Sequence, residues 1–328
     1  MKAAVCFSFL CASLLPAVAQ SPLSKLERVF VLGTEYVRLA DWARANNFRS
    51  AWITRDRELK ISGTRGTLVC TAHSRRISIN GIGVLISRPI LMSYGSAYIA
   101  PVDLTTAVHP VLFPRKGPAG KAIQTICLDP GHGGKDPGNR EGRQQEKKYT
   151  LLFANELSAR LTKAGFKVCL TRSSDRFVEL STRAAIARQR GADLFVSLHF
   201  NSADGAGGAQ ANGVEVYCLT PARTSSTNAR GEGARTGAYP GNRLDSKNML
   251  LAYHLQHALV RNLSLEDRGV RRARFEVLRE AQMPAVLIEG GFMTHPTESK
   301  KIYDPAYRRR MAEAIVTGLT AYKNLVAP

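Results

Sequence analysis

Three apolar, strand-like runs in the last two thirds of the chain each end in a histidine or an acidic residue that turn-forming residues follow. The runs are ICLDPGH, ending at His132, LFVSLH, ending at His199, and AVLIE, ending at Glu289. A fourth candidate, Glu146, begins a helical pattern. Two histidines and a carboxylate suit a catalytic zinc ion, because three protein ligands leave a fourth position for water. A second carboxylate that does not bind the metal can then take a proton from that water.

Strand and helix patterns alternate around these positions and indicate how they are brought together. Buried-strand runs occur at 126–128, 166–170, 194–200, 214–219 and 285–288. Helical patterns lie between them, such as the stretch in which Phe153, Leu157 and Leu161 share one face, and a last amphipathic helix is predicted near Pro305–Tyr322. The alternation predicts an α/β fold, with a twisted, mostly parallel or mixed sheet flanked by helices on both faces. In such sheets catalytic groups gather at strand ends.

The first third of the chain has a different pattern and predicts a small α+β N-terminal domain that precedes the sheet domain. Short strand-like runs dominate it, and Asn80-Gly81 between alternating apolar residues is typical of a two-residue hairpin. We place this module at 24–113, a linker rich in Pro, Gly and Lys at 114–122, and the larger domain at 123–324. Residues 220–246 are poor in apolar side chains and predict an exposed insertion in the larger domain.

The amino terminus has the features of a secretory signal peptide. Lys2 precedes an apolar run that ends in Ala17-Val18-Ala19, a small-x-small cleavage pattern. The alternative, a membrane anchor, needs about twenty apolar residues, and this run is shorter. We therefore predict a signal peptide at 1–19, export to the periplasm or the cell exterior, and no transmembrane segment after cleavage.

The composition is that of an ordinary soluble protein with a strong positive charge. The 328 residues are 44% hydrophobic and 22% charged, and 46 Lys and Arg against 26 Asp and Glu give a net charge of +20. This charge favours polyanions. No recognition helix or RNA-binding motif accompanies it, so we predict no nucleic-acid partner. For an exported chain, anionic envelope polymers are the expected polyanions. The sequence does not determine the oligomeric state.

Four cysteines follow the predicted signal peptide, Cys70, Cys127, Cys169 and Cys218. Each lies in an apolar, strand-like run, which is typical of buried thiols and not of a disulfide-rich domain. Their spacing is not that of a zinc-thiolate site. An exported protein could still oxidise a neighbouring pair, and Cys127 with Cys169 is the first pair to test; the sequence leaves this open.

Four longer motifs span the predicted sheet domain. They read LDPGHGGKDPG, LTRSSDRFVELSTRAAIA, SLHFNSA and RGVRRARFEVLREAQMPAVLIEGGFMTHPTE. Together they resemble zinc-dependent N-acetylmuramoyl-L-alanine amidases, the peptidoglycan hydrolases of bacterial cell-wall remodelling, from about Ile123 to Tyr322. The resemblance implies that His132, Glu146 and His199 bind Zn²⁺ and that Glu289 is the catalytic glutamate. It also implies hydrolysis of the amide between the lactyl group of N-acetylmuramic acid and the L-alanine of the stem peptide.

Two other functions remain open for a protein with these four candidate residues. One is a non-catalytic cell-wall binding protein on the same fold, which would not need all four chemical positions. The other is a zinc peptidase that acts within the stem peptide, which uses much the same chemistry and is excluded only by the resemblance.

Several residues near the motifs have predicted supporting roles. Asn201 and Arg183 suit substrate binding and the support of ligands equally well. Asp129 and Asp136 are predicted to hold the loop around His132 and not to bind metal. His295, where many relatives have asparagine, is predicted to cap a loop.

The N-terminal module has a resemblance of its own. The stretches YVRLADWARANN, LKISG, RRISINGIG and YIAPVDL are similar to the small domain named after the amino terminus of copper amine oxidases, which is often found beside cell-wall enzymes. It implies envelope or wall targeting, with a passive folding unit as the alternative. Some relatives of the larger domain carry an inserted helix that plugs the zinc site, but 220–246 lacks the apolar periodicity of such a helix, and we predict no helical plug.

Overall fold

The computed structural model describes residues 26–117, 122–203, 205, 208–228 and 237–328. The predicted signal peptide at 1–19 and part of the predicted linker lie outside these ranges. Within the described part of the chain, no helix combines the length and the apolar character that a bilayer-spanning segment needs.

The described residues form strands and helices in an order that changes after the first third of the chain. The strands are β1 (Arg28–Val31), β2 (Thr34–Arg38), β3 (Arg49–Thr54), β4 (Glu58–Gly63), β5 (Gly66–Thr71), β6 (Arg76–Ile79), β7 (Ile82–Leu85), β8 (Leu91–Ser93), β9 (Ser96–Ile99), β10 (Thr125–Pro130), β11 (Arg140–Glu141), β12 (Gln144–Gln145), β13 (Lys167–Leu170), β14 (Leu194–Asn201), β15 (Val214–Leu219), β16 (Asp267–Ala273) and β17 (Ala285–Phe292). The helices are α1 (Leu39–Ala45), α2 (Pro101–Asp103), α3 (His109–Leu112), α4 (Glu146–Lys163), α5 (Leu180–Gln189), α6 (Asp245–Leu263), α7 (Glu276–Arg279), α8 (Pro296–Tyr303) and α9 (Pro305–Val326), with a π-helical turn at Leu104–Val108 between α2 and α3.

A mixed sheet of eleven strands, in the order β13-β10-β14-β17-β15-β16-β7-β6-β5-β4-β3, is the centre of the fold. The strands β13, β10, β14 and β17 are parallel, and β15 runs antiparallel to β17. Successive side chains alternate between the two faces, because a strand repeats every two residues. Thus Ile126 and Leu128 pack in the larger core cluster with α4, α6 and α9, whereas Cys127 packs in the cluster with α5 and α7. The predicted mixed sheet with helices on both faces is confirmed.

The N-terminal module contributes five strands to this sheet. The strand β7 lies parallel to β16, with Val84 opposite Val270. Asp267 accepts a hydrogen bond from the Gly83 amide at 2.7 Å, and the Tyr253 hydroxyl donates to the Ile79 carbonyl at 3.1 Å. The other four strands of the module form a second sheet in the order β1-β2-β9-β8. The two predicted units therefore share one continuous sheet, while their boundaries stay predictions.

The Asn80-Gly81 hairpin is confirmed. It joins β6 to β7, and both turn residues have positive φ, 50° and 82°. A two-residue turn of this backbone matches the twist of the flanking strands, and asparagine and glycine tolerate it best.

The insertion predicted to be exposed at 220–246 is not exposed in its first part. Thr220, Thr224 and Ser226 are buried. The hydroxyls of Thr220 and Ser226 lie 2.9 Å apart, and Thr224 donates to the Pro221 carbonyl at 2.8 Å. Polar side chains that satisfy one another can be buried at little cost, so the lack of apolar residues was a poor guide here. Residues 229–236 of the insertion lie outside the described ranges.

Candidate metal centre

His132, Glu146 and His199 come together at the carboxyl edge of the parallel strands. His132 follows β10, His199 lies near the end of the neighbouring β14, and Glu146 is the first residue of α4. His132 Nε2 lies 2.9 Å from Glu146 Oε2, and His199 Nδ1 lies 2.9 Å from Glu146 Oε1. The three ligand atoms all lie within 4.8 Å of one another. The structure thus brings together the three residues that the sequence singled out as ligands.

Backbone amides also fix the Glu146 carboxylate. The amide of Asn139 donates to Oε2 at 3.0 Å, and that of Phe200 donates to Oε1 at 3.0 Å. Burial raises the pKa of Glu146, but hydrogen bonds and charge from His132 and His199 more than offset it, so this pKa lies well below its ordinary value. For His132, burial lowers the pKa, and its bonds to Glu146 and Asp136 raise it further than burial lowers it. The group is therefore built around a carboxylate anion.

Glycines leave the space that the two imidazoles occupy. A Cβ on Gly131 would lie 2.2 Å from Cε1 of His199, and a Cβ on Gly138 would lie 2.5 Å from Cδ2 of His132. Gly138 also has a φ of 64°, a conformation that side chains disfavour. Any larger residue at these two positions would displace one of the two imidazoles, which explains two of the four glycines around the single histidine of this loop.

The side chain of Asp136 orients His132. The two residues lie in one tight turn, in which the Gly133 amide donates to the Asp136 carbonyl at 2.9 Å. Asp136 Oδ2 lies 2.8 Å from Nδ1 of His132, which leaves Nε2 directed towards Glu146. A carboxylate on the far nitrogen fixes the ring and raises the basicity of a metal-binding histidine. The predicted supporting role of Asp136 is confirmed.

Two buried arginines hold the backbone of the same loop. Arg183 donates to the carbonyl oxygens of Pro130 and His132, both at 3.0 Å, and forms an ion pair of 2.9 Å with Asp129. Arg172 donates to the carbonyl oxygens of Pro130 at 3.0 Å and of Gly131 at 2.8 Å. Of the two roles predicted for Arg183, the structure therefore favours the support of the candidate ligand His132 over substrate binding. The role of Arg172 was not predicted from the sequence, although this residue stands in the LTRSSD motif with four other polar residues.

Asp129 is fully buried beneath the loop and binds no ligand of the metal group. Besides Arg183, it accepts hydrogen bonds from Thr171 at 2.6 Å and Ser197 at 2.8 Å. These bonds tie β10 to β14 and to the residue that follows β13, which confirms the predicted supporting role.

Glu289 faces the same cavity from β17, directly opposite His199 on β14. Its Oε2 is buried and has no hydrogen-bond partner among the described residues. Burial, followed by the negative charges of Glu146 and Glu215, raises the pKa of Glu289 well above its ordinary value. Native proteins rarely leave a buried carboxylate oxygen unpaired, and such groups are typical of functional sites.

Another buried carboxylate, that of Glu215, was not predicted from the sequence. It accepts hydrogen bonds from the Asn201 amide, the Tyr217 hydroxyl and Nε of Arg268, at 2.8, 2.8 and 2.9 Å. Nε of Arg271 lies 2.8 Å from its Oε2. The signal in the sequence was a single acidic residue inside the apolar run VEVYCL of β15.

The cavity above these groups has a volume of about 410 Å³. The polar part of its lining includes the three candidate ligands, Glu289 and Asn201. The apolar part of the lining, the apolar wall, consists of Leu180, Phe275, Val277 and Leu287. None of the described residues of the insertion lines it. A cavity with an apolar wall and a few convergent polar groups is the usual form of a small-molecule or peptide site.

His295 takes no part in this group. It precedes α8, and its Nδ1 accepts hydrogen bonds from the amides of Thr297 and Glu298, both at 3.2 Å. The predicted capping role is confirmed.

Residues 126–321 match the family model Amidase_3, described as N-acetylmuramoyl-L-alanine amidase. The match covers more than half of the chain, and the chain belongs to this family.

Curated relatives are similar over the same region. The probable cell wall amidase LytH of Staphylococcus epidermidis is 35% identical over 202 residues, which are 61% of this chain and 58% of LytH. The N-acetylmuramoyl-L-alanine amidase AmiC of Neisseria meningitidis is 34% identical over 64% of this chain and 55% of AmiC. AmiA of Escherichia coli K12 is 33% identical over 63% of this chain and 78% of AmiA. The chain thus spans between half and two thirds of the length of the first two.

Solved structures have the same fold. The N-acetylmuramoyl-L-alanine amidase of Clostridium difficile 630 has a TM-score of 0.52 and 32% identity, covering 62% of this chain and 98% of that one. The amidase AmiC2 of Nostoc punctiforme has a TM-score of 0.51 and 33% identity, covering 62% of this chain and 98% of that one.

Proposed function

We propose that this protein is a zinc-dependent N-acetylmuramoyl-L-alanine amidase acting on peptidoglycan. It would hydrolyse the amide between the lactyl group of N-acetylmuramic acid and the L-alanine of the stem peptide, in cell-wall remodelling or turnover. The observation that carries the proposal is the buried, unpaired Oε2 of Glu289, in the cavity that the His132–Glu146–His199 group also lines. Membership of the family supports the assignment of this amide as the bond that is cleaved.

The donor set supports zinc as the metal. Two imidazole nitrogens and one carboxylate are the ligands of several catalytic zinc sites, and Asp136 supplies the outer carboxylate that such histidines usually have. When bound, zinc polarises a carbonyl oxygen and lowers the pKa of a bound water. His132, Glu146 and His199 would hold the ion.

The protein's own residues supply the remaining chemistry. Glu289 takes a proton from the attacking water on its unpaired Oε2 and returns it to the alanine nitrogen as that group leaves. Asn201, whose amide is held by Glu215, has a second N–H that can donate to a substrate oxygen. The apolar wall of Leu180, Phe275 and Val277 excludes water from one side of the scissile bond.

Localisation and partners follow from the amino terminus and the charge. The pattern at 1–19 supports export to the periplasm or the cell exterior, where peptidoglycan lies. The net charge of +20 supports contact with anionic envelope polymers. The resemblance of 24–113 to a module found beside cell-wall enzymes supports a targeting role.

The experiment is digestion of purified peptidoglycan by the mature protein, with and without a chelator, followed by identification of the new termini. We expect new L-alanine amino termini, which disappear with chelator and return with Zn²⁺. Glu289→Ala should lose activity and keep its zinc, because this glutamate acts as a base and not as a ligand. Glu280→Ala, which changes an exposed glutamate of the same region, is the matched control and should keep activity.

The two alternatives give other results. New termini within the stem peptide would identify a zinc peptidase. Sedimentation with peptidoglycan without any new terminus would identify a binding protein. Activity that survives Glu289→Ala would contradict the assigned mechanism.

A further inference from the structure

Cys127 and Cys169 lie directly opposite each other on neighbouring strands. The strands β10 and β13 are parallel, and the two cysteines are paired in their register. Neighbouring strands lie about 4.8 Å apart. Disulfides join residues whose Cα atoms are about 4.4 to 6.8 Å apart, so this pair has the required separation.

The two side chains point to the same face of the sheet. Cys127 is fully buried in the cluster that contains Ala184 and Ala187, and Cys169 packs against the same cluster while remaining partly exposed. Each thiol also acts on the ionisation of the other. One thiol is thus open to an external oxidant, and the other is held next to it.

The two thiols have unequal reactivity. A hydrogen bond from Cys127, together with the charge of Arg190, lowers the pKa of Cys169 against the opposing effect of burial. The pKa of Cys127 is raised by the same hydrogen bond and by burial. An accessible thiol of lowered pKa beside a buried partner is the usual arrangement of a reactive pair.

We propose that Cys127 and Cys169 form an intramolecular disulfide in the exported protein, and that this bond closes the segment that carries His132 and Glu146. The segment 127–169 contains the end of β10, the His132 loop and all of α4. Two of the three candidate metal ligands therefore lie inside the covalent loop, and only His199 lies outside it.

Formation of this bond requires an oxidant, and a small disulfide can serve by thiol–disulfide exchange. The Cys169 thiolate attacks one sulfur of the oxidant and releases its first thiol. The Cys127 thiolate then attacks the Cys169 sulfur of the mixed disulfide and releases the second thiol. The two cysteines lose two electrons and two protons; the electrons reduce the oxidant and the protons pass to the released thiolates through solvent.

The position of the bond gives it a mechanical effect on the site. Among the described strands, β13 is the outermost one of the sheet and pairs with β10 alone. Two residues beyond Cys169, the Thr171 amide donates to the Leu128 carbonyl at 3.1 Å, and Arg172 then holds Gly131. A disulfide would anchor this outer strand at the base of the His132 loop and restrict the unfolded chain.

The test compares mature protein treated with oxidised glutathione and with dithiothreitol. Both samples are alkylated under denaturing conditions and mapped by mass spectrometry. We expect one peptide pair joined through Cys127 and Cys169 after oxidation. Cys70 and Cys218, which are also buried, serve as internal controls and should be alkylated in both samples.

Stability and metal retention give two further readouts. Oxidation should raise the Tm of the wild type by about 5 °C or more and slow the transfer of zinc to a chelator several-fold. Neither response should occur in Cys169→Ala or in Cys127→Ala.

Alkylation of both cysteines after oxidation would overturn the proposal, as would glutathione on Cys169 alone or a link to Cys70 or Cys218. The proposal relies on the proposed export for its oxidising environment. Its readouts require no peptidoglycan, so a failure here is distinct from a failure of the proposed hydrolysis.

Discussion

Glu215 and Glu289 are direct neighbours across β15 and β17, and only one of the two carboxylates is satisfied. Glu215 binds Asn201, Tyr217, Arg268 and Arg271. Oε2 of Glu289 has no partner within the described ranges. The charge of Glu215, which does not line the cavity, is therefore compensated by these partners. Glu289 lines the cavity and stays available to a substrate or a water molecule.

Removing the charge of Glu215 should move the pH dependence of activity. A neighbouring negative charge raises the pKa of Glu289, so Glu215→Gln should lower that pKa. A base with a lower pKa is ionised at lower pH, and the acid limb of the profile of kcat/KM against pH should shift down by about one unit. Glu280→Gln is the control and should leave the limb in place. An unchanged limb in Glu215→Gln would show that this charge does not act on the base.

Asp136→Asn should weaken zinc binding by about 10- to 100-fold, because the amide is a poorer partner for Nδ1 of His132 than a carboxylate is. Competition with a chromophoric chelator measures this affinity. Asp175→Asn is the matched control. Asp175 accepts a hydrogen bond from Gly134 in the same loop at 2.7 Å but contacts none of the three ligands. Equal losses in both variants would indicate a general disturbance of the loop.

Arg183→Leu should lower the free energy of unfolding by about 3 to 5 kcal/mol. The substitution leaves Asp129 as a buried charge without its cation and removes one donor from each of the Pro130 and His132 carbonyl oxygens. Chemical denaturation of the metal-free protein isolates this effect from zinc binding. Arg188→Leu, an exposed position on the same helix, should change stability by less than about 0.5 kcal/mol. A loss below about 1 kcal/mol in Arg183→Leu would be inconsistent with the buried ion pair.

Val84→Asp tests whether the N-terminal module and the larger domain fold as one unit. Val84 and Val270 are fully buried where β7 meets β16, so an unpaired charge there should cost about 3 kcal/mol or more. In calorimetry we expect one transition for the wild type and two separated transitions for the variant. Val69→Asp, on a half-buried position of β5, is the control and should keep a single transition. Two transitions in the wild type would show that the contact between β7 and β16 does not couple the unfolding of the module to that of the larger domain.

Asp245→Asn should stabilise the protein at pH 7.5 and have no effect near pH 4. Burial raises the pKa of Asp245 to about 6, against the opposing charge of Arg272 and a hydrogen bond from Asn242. The folded state then holds this proton more tightly than the unfolded state does, so stability is lost as the pH rises through 6. We expect a gain of about 1 kcal/mol in urea unfolding at pH 7.5, reduced for the partial exposure of the group. Asp304→Asn, at the exposed start of α9, should give the same small change at both pH values.

The sequence by itself determined most of the site, because its signals are local. An apolar run followed by turn residues indicates a strand end, and the carboxyl ends of parallel strands meet at one edge of a sheet. Three such ends, with Glu146 at a helix start and the resemblance to an amidase family, were sufficient to name the three clustered residues and the glutamate opposite His199. The hairpin at Asn80-Gly81 and the capping by His295 are equally local, and both are confirmed.

Only the tertiary structure decided which polar groups are satisfied and which strands meet. Arg172 and Glu215 act through contacts with residues far along the chain, and single residues in a motif or an apolar run do not reveal such partners. The pairing of β7 with β16 uses backbone hydrogen bonds, which nearly every residue type can form, so no sequence pattern predicted that the module extends the sheet of the larger domain. The burial of Thr220, Thr224 and Ser226 has the same origin, since polar residues can be buried wherever the fold supplies their hydrogen-bond partners.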